Sequence, residues 1–135
     1  MIIKRLLTHK ILQFVAVAYL LLITALSLWR FIAFNLMVVA NGDKIGHAIA
    51  YCGFTIVWFG FYFFSEKLNK DWKQSVLRAS IIAFFWGLLM ELAQGVLTDY
   101  RMPDLFDVIA NTSGIVLAAL LLRIGKKQLY HLKSV

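Results

Sequence analysis

The chain has 135 residues, of which 61% are hydrophobic and only 16% are charged. Soluble domains carry about 45–50% apolar and about 25% charged residues, so this sequence has too little polar material to cover a water-exposed surface. A soluble enzyme, a disordered tail and a nucleic-acid-binding domain are all poor fits, despite a formal net charge of +7. The single cysteine, Cys52, excludes an internal disulfide and a multi-cysteine zinc site. The composition favours a small polytopic membrane protein.

Four apolar stretches follow one another, at approximately residues 11–29, 45–64, 78–98 and 105–124. Each is close to the ~20 residues that cross a bilayer as a helix. Because lipid cannot hydrogen-bond a bare backbone, we predict an all-α fold, a four-transmembrane-helix bundle forming one domain over residues 1–135. The stretch 31–40 is too short to cross, and it either extends the first helix or lies along the interface.

The first apolar stretch has a rival interpretation as a cleavable signal peptide. Its apolar run is longer than the usual ~7–15 residues, and it ends in Leu28-Trp29-Arg30 rather than at a small-residue cleavage site. We therefore expect it to be a retained span.

Lysine and arginine are distributed unevenly between the two sides of such a bundle. Only Arg30, Lys44 and Arg101 lie in the first and third loops. The other basic residues lie in the two ends and the second loop: Lys4, Arg5, Lys10, Lys67, Lys70, Lys73, Arg78, Arg123, Lys126, Lys127 and Lys133. This bias predicts a multi-pass protein with both termini on the cytoplasmic side of its membrane.

Polar residues of the three later stretches collect in the half that would face outwards. Helical spacing places them on three stripes: Asp43, His47 and Tyr51; Glu91 and Gln94; Asp104, Asp107 and Asn111. A carboxylate facing lipid there costs roughly 2.5–3.5 kcal/mol at the helix centre. The stripes are therefore expected to face one another. Each residue alone also has an ordinary interpretation, as a helix cap, a polar contact between helices or a solvated loop charge.

The linked pattern resembles a known family. Asp43-Lys44-x2-His47-x3-Tyr51 is followed by Gly87-x3-Glu91-x2-Gln94 and then by Arg101-x2-Asp104-x2-Asp107-x3-Asn111-x2-Gly114. This resembles the VanZ-like membrane proteins, named for the teicoplanin-resistance protein of enterococci, over residues 41–120. Ala118 stands where the family usually has a later glycine. The resemblance implies a bacterial inner-membrane protein whose founding member is linked to resistance against a glycopeptide aimed at cell-wall precursors. It implies no settled reaction.

The leading hypothesis is an extracytoplasmic site that binds, or binds and modifies, an anionic lipid-linked or cell-envelope substrate. Arg101 and Lys44 would hold a phosphate or carboxylate, and His47 would act as general acid or base. The candidate catalytic residues are Asp43, His47, Glu91, Arg101, Asp104 and Asp107, and the candidate substrate-binding residues are Lys44, Tyr51, Gln94 and Asn111. The partner would be a membrane lipid or envelope precursor, with no nucleic acid involved.

Three alternatives stay open at this point. A divalent metal could be held by Asp43, His47, Glu91 and Asp107, although no HExxH or paired-cysteine pattern supports it, and the sequence does not identify a cofactor. The buried ionisable residues could serve a small proton-coupled transporter subunit, which would need a homo-oligomer. The protein could also be a non-enzymatic scaffold that binds envelope precursors. Whether it is an enzyme is not decided by the sequence.

Overall fold

The computed structural model describes residues 8–28, 42–99 and 102–134. Within these residues the chain forms five α-helices and no strand, which confirms the predicted all-α class. The helices are α1 (His9–Leu28), α2 (Gly42–Phe64), α3 (Trp72–Leu97), α4 (Leu105–Ile124) and α5 (Lys126–Ser134). The segment 31–40, for which two interpretations were open, lies outside the described residues.

Helices α1 to α4 run alternately up and down, and contacts at both ends fix this order. At one end, Nδ1 of His9 and Oγ of Ser65 are 2.7 Å apart, which joins the start of α1 to the end of α2. At the other end, Nε2 of Gln94 donates to the carbonyl oxygen of Ser27 at 2.8 Å, which joins the ends of α1 and α3. We call these the Ser65 end and the Asp43 end.

Local capping explains where two helices begin. The backbone N–H of Gln74 donates to Oδ1 of Asp71 at 2.7 Å, so α3 begins at Trp72, well before the apolar stretch predicted from about residue 78. Asp104 caps α4 in the same way by accepting from the N–H of Phe106 at 2.8 Å. The short helix α5, which the sequence did not predict, follows directly after Gly125 at the Ser65 end.

Close packing brings α4 onto α2. A Cβ atom added to Gly114 would overlap the carbonyl oxygen of Ala48 and approach the backbone nitrogen of Cys52, so only glycine permits this approach. Ala118, four residues along, is fully buried. This is the small-xxx-small contact expected for helices that associate in lipid.

The outer surface of the bundle differs from that of a soluble protein. Its exposed surface carries large apolar side chains such as Phe14, Leu21 and Val96, whereas Glu91 and Asp107 are buried. Among the described residues, four helices (α1 to α4) are long and apolar enough to cross a membrane. An apolar exterior, with acidic side chains kept inside the bundle, is the arrangement that a bilayer favours.

The Ser65 end is built from aromatic packing with cations at its rim. Phe59 and Phe63 pack with buried residues of α3 and α4. Nζ of Lys126 lies 5.1 Å from the ring centroid of Trp72, and Nζ of Lys133 lies 4.4 Å from that of Phe63. These contacts attach the basic helix α5 to the bundle.

Candidate functional site

The three polar stripes meet at the Asp43 end, as the sequence predicts. His47 on α2, Glu91 on α3 and Asp107 on α4 each place a ligand-type atom within 4.8 Å of those of the other two. Glu91 and Asp107 are only 4% and 7% exposed. Three helices therefore contribute one titratable side chain each to a single buried cluster.

Lys44 lies at the centre of an ion-pair network. Its Nζ is 3.2 Å from Oδ2 of Asp43 and 2.6 Å from Oδ2 of Asp104, and it also contacts Oδ1 of Asp107. The sequence predicts Lys44 as a substrate-binding residue. In the structure its three donor positions face three carboxylates, so its ammonium compensates their charge and holds the start of α2 against the start of α4.

Asp104 links this network to α3. The ammonium of Lys44 holds the pKa of the Asp104 carboxyl below its usual range, and the N–H of Phe106 acts in the same direction. The backbone N–H of Asp104 also donates to Oε2 of Glu91 at 3.3 Å. The N-terminus of α4 is thus fixed through a charged side chain on α2 and another on α3.

The imidazole of His47 is held in a defined orientation. Its Nδ1 lies 3.0 Å from Oδ1 of Asn111, which is 3% exposed, and its Nε2 lies 3.6 Å from Oδ2 of Asp107. Because a carbonyl oxygen only accepts, Nδ1 carries the proton in this arrangement. When the ring is neutral, the lone pair of Nε2 therefore faces a carboxylate oxygen.

Tyr51 and Asn111 form the floor of the cluster. A Cβ atom added to Gly87, one turn before Glu91, would lie 3.2 Å from both the Tyr51 ring and Nδ2 of Asn111. In the part of the chain that the structure describes, the Tyr51 hydroxyl and Nδ2 of Asn111 are buried without a hydrogen-bond partner. Buried polar atoms are usually paired, so these two donors are available to a polar ligand.

Gln94 lies beside the cluster but bonds elsewhere. Its amide nitrogen donates to the Ser27 carbonyl oxygen on α1, and its side chain is almost fully buried. The sequence predicts that Gln94 orients substrate, whereas the structure shows its amide nitrogen joining α3 to α1. Arg101, predicted to hold an anion, lies outside the described residues.

A groove between α1 and α2 reaches the cluster from the side. Its volume is about 250 Å³, and its α2 wall carries Asp43, His47 and Tyr51. The α1 wall consists of Ile23, Leu26 and Ser27. The sequence does not predict this α1 wall, because nothing in an apolar span marks which of its faces will line a groove.

Fold and site together define a class: a multi-pass helical membrane protein with a buried, charged cluster at one end of its bundle. The VanZ/LLP1 family matches residues 4–126, which is most of the chain. The protein belongs to this family, as the motif spacing indicated. No curated protein and no solved structure matches the chain.

Proposed function

We propose that the Asp43 end binds the polar headgroup of a lipid-linked envelope molecule at the extracytoplasmic face of the bacterial inner membrane. The observation that carries the proposal is the groove between α1 and α2, which has one largely apolar wall and one polar wall. Such a groove suits an amphiphile, with its chain along Ile23 and Leu26 and its headgroup at His47. Binding there would also permit modification of the bound molecule.

The side of the membrane follows from charge. Among the described residues, the Ser65 end carries Lys67, Lys70 and the basic helix α5, whereas the Asp43 end carries Lys44 amid carboxylates. The positive-inside rule then supports a cytoplasmic Ser65 end and an extracytoplasmic cluster. In a Cys52→Ser background, a cysteine at Asp99 should react with an impermeant maleimide in intact cells, while one at Glu66 should not. The reverse labelling would contradict this orientation.

The groove offers a direct test with a matched control. A Cβ atom at Gly46, which lines the groove, or at Gly60, which does not, would meet nothing within 4 Å. The Gly46→Leu variant should therefore fill the groove without disturbing the helices, and Gly60→Leu should leave it open. Native mass spectrometry of the purified protein should show a polyprenyl phosphate bound in preference to the uncharged polyprenol. Gly46→Leu should abolish that binding, and Gly60→Leu should retain it.

The headgroup contact is tested by a second matched pair. His47→Ala should weaken binding of the polyprenyl phosphate, whereas His131→Ala, at the other end of the bundle, should not. Equal binding by all four variants would exclude the groove as the binding site. Equal binding of phosphate and polyprenol would exclude headgroup recognition.

A link to glycopeptide resistance is part of the same proposal. If the protein binds envelope precursors, its expression should raise the teicoplanin concentration that inhibits a susceptible Gram-positive host. The increase should be lost with Gly46→Leu and kept with Gly60→Leu. An increase that both variants keep would mean that resistance does not depend on the groove.

A further inference from the structure

We infer that His47, Glu91 and Asp107 form a binding site for a first-row divalent cation such as Zn²⁺ or Mn²⁺. The inference rests on the proposed function, because the ion would be the group that contacts the anionic headgroup. It assigns His47 a ligand role in place of the proton-transfer role that the sequence suggests.

The geometry of the three side chains fits one ion. Ligands of a single Zn²⁺ ion lie ~2.0–2.2 Å from it, so two neighbouring ligand atoms are about 3–3.5 Å apart. Nε2 of His47 and Oδ2 of Asp107 are 3.6 Å apart, and the atoms of all three residues lie within 4.8 Å of one another. A contraction of up to about 1.3 Å in the longest of these separations would bring the atoms to the distances of a bound ion.

The imidazole is oriented as metal-binding histidines usually are. Asn111 accepts the Nδ1 proton of His47, and this fixes the tautomer that leaves the lone pair on Nε2. That lone pair faces the Asp107 carboxylate, and two electron-rich atoms at this distance repel each other. A cation bound between the imidazole nitrogen and the carboxylate oxygen would replace this repulsion with two coordination bonds.

The charge of the described site points in the same direction. Three carboxylates of the described site, those of Asp43, Asp104 and Asp107, share the single ammonium of Lys44, which leaves a surplus of negative charge. A phosphate would be repelled by this surplus. A divalent ion held by two carboxylates and one imidazole reduces the surplus, and it keeps open coordination positions for a phosphate oxygen.

The buried floor of the cluster supplies an independent observation. The Tyr51 side chain is 2% exposed, and its hydroxyl has no hydrogen-bond partner among the described residues. Nδ2 of Asn111 is likewise buried without a hydrogen-bond partner among the described residues. Both side chains lie beside Gly87, and Asn111 also contacts His47. Water or headgroup oxygens bound to the ion would satisfy these two donors.

Metal binding can be measured on the full chain in detergent after treatment with EDTA. We expect one Mn²⁺ or Zn²⁺ ion per chain after dialysis against each metal. The ion should be lost in His47→Ala, Glu91→Gln and Asp107→Asn and retained in the controls His131→Ala and Glu66→Gln. Asn111→Ala, which removes the partner of Nδ1, should weaken the affinity by about 10–100-fold.

A spectroscopic measurement on the unaltered protein covers the case in which a variant fails to fold. Electron spin echo of bound Mn²⁺ should show a ¹⁴N coupling from one imidazole. The absence of saturable binding, the absence of this coupling, or retention of the ion in both folded His47→Ala and Glu91→Gln would overturn the site.

The lipid measurement separates the two proposals. EDTA should weaken polyprenyl phosphate binding at least about tenfold if the ion holds the phosphate. Unchanged binding in EDTA would overturn the metal site and leave the proposed function intact. Metal binding without lipid binding would contradict the proposed function instead.

Discussion

The two ends of the bundle are built from the same helices but held by different forces. At the Ser65 end, aromatic rings such as Phe59 and Phe63 pack together, and lysines lie over the rings at the rim. At the Asp43 end, carboxylates from α3 and α4 are buried around Lys44 and His47. Burying charge is expensive, whereas burying rings is favourable, so stability alone does not account for the Asp43 end.

This contrast separates the residues that stabilise the fold from those that serve function. The Ser65 end can be explained by packing and by orientation in the membrane. The Asp43 end instead carries a cluster of titratable side chains and a groove that leads to it. Matched substitutions at the two ends test this difference.

The largest effect is expected at the contact between α2 and α4. A Gly114→Leu side chain would collide with the backbone at Ala48, so we expect it to lower the free energy of unfolding by more than about 3 kcal/mol. Gly60→Leu, which meets open space, should change it by less than about 1 kcal/mol. Thermal unfolding in detergent measures both. Similar values for the two variants would mean that α4 does not pack on α2 as described.

A smaller effect is expected from removing single lysines. Lys44→Met leaves the buried Asp107 carboxylate without its ammonium and should cost about 2 kcal/mol. Lys133→Met removes a cation–π contact and one hydrogen bond at the other end, and it should cost less than about 1 kcal/mol. Unfolding at neutral pH distinguishes the two. A larger loss for Lys133→Met would contradict the proposed balance of charges at the Asp43 end.

The smallest effect is a pH dependence that originates at Asp104. Its pKa is lowered in the folded state by Lys44, so its contribution is present above the unfolded pKa of about 3.9 and is lost as the pH falls below that value. Wild-type melting temperature should therefore decrease on acidification below about pH 4. The decrease should be shallower in Asp104→Asn than in the control Asp71→Asn. Identical slopes in the two variants would remove Asp104 from the ion-pair network.

Much of this architecture follows from the sequence because lipid leaves few choices. Apolar length predicts four helices, and helical periodicity places His47, Glu91 and Asp107 on stripes that must avoid lipid. The structure brings these three residues together. The exclusion of polar atoms from hydrocarbon is thus sufficient to predict that the stripes converge.

Individual partners could not be predicted in the same way. Periodicity predicts the helix face on which Lys44 or Gln94 lies, but it does not identify the atom to which each side chain bonds. Lys44 bonds to Asp104 and Gln94 bonds to Ser27, both on distant parts of the chain. The sequence does not predict helix α5, because its polar composition resembles that of a solvated tail. Such details depend on helix rotation and crossing geometry, which the spacing of residues along one chain does not encode.

The central claim is that the groove between α1 and α2 delivers a lipid headgroup to the His47 cluster. Photo-crosslinking in native membranes tests it most directly, with a photoreactive amino acid at Gly46 and, as the control, at Gly60. We predict that the adduct at Gly46 is enriched in a phosphate-bearing lipid-linked envelope molecule, while the adduct at Gly60 reflects bulk phospholipid. The same bulk phospholipids at both positions would contradict the claim.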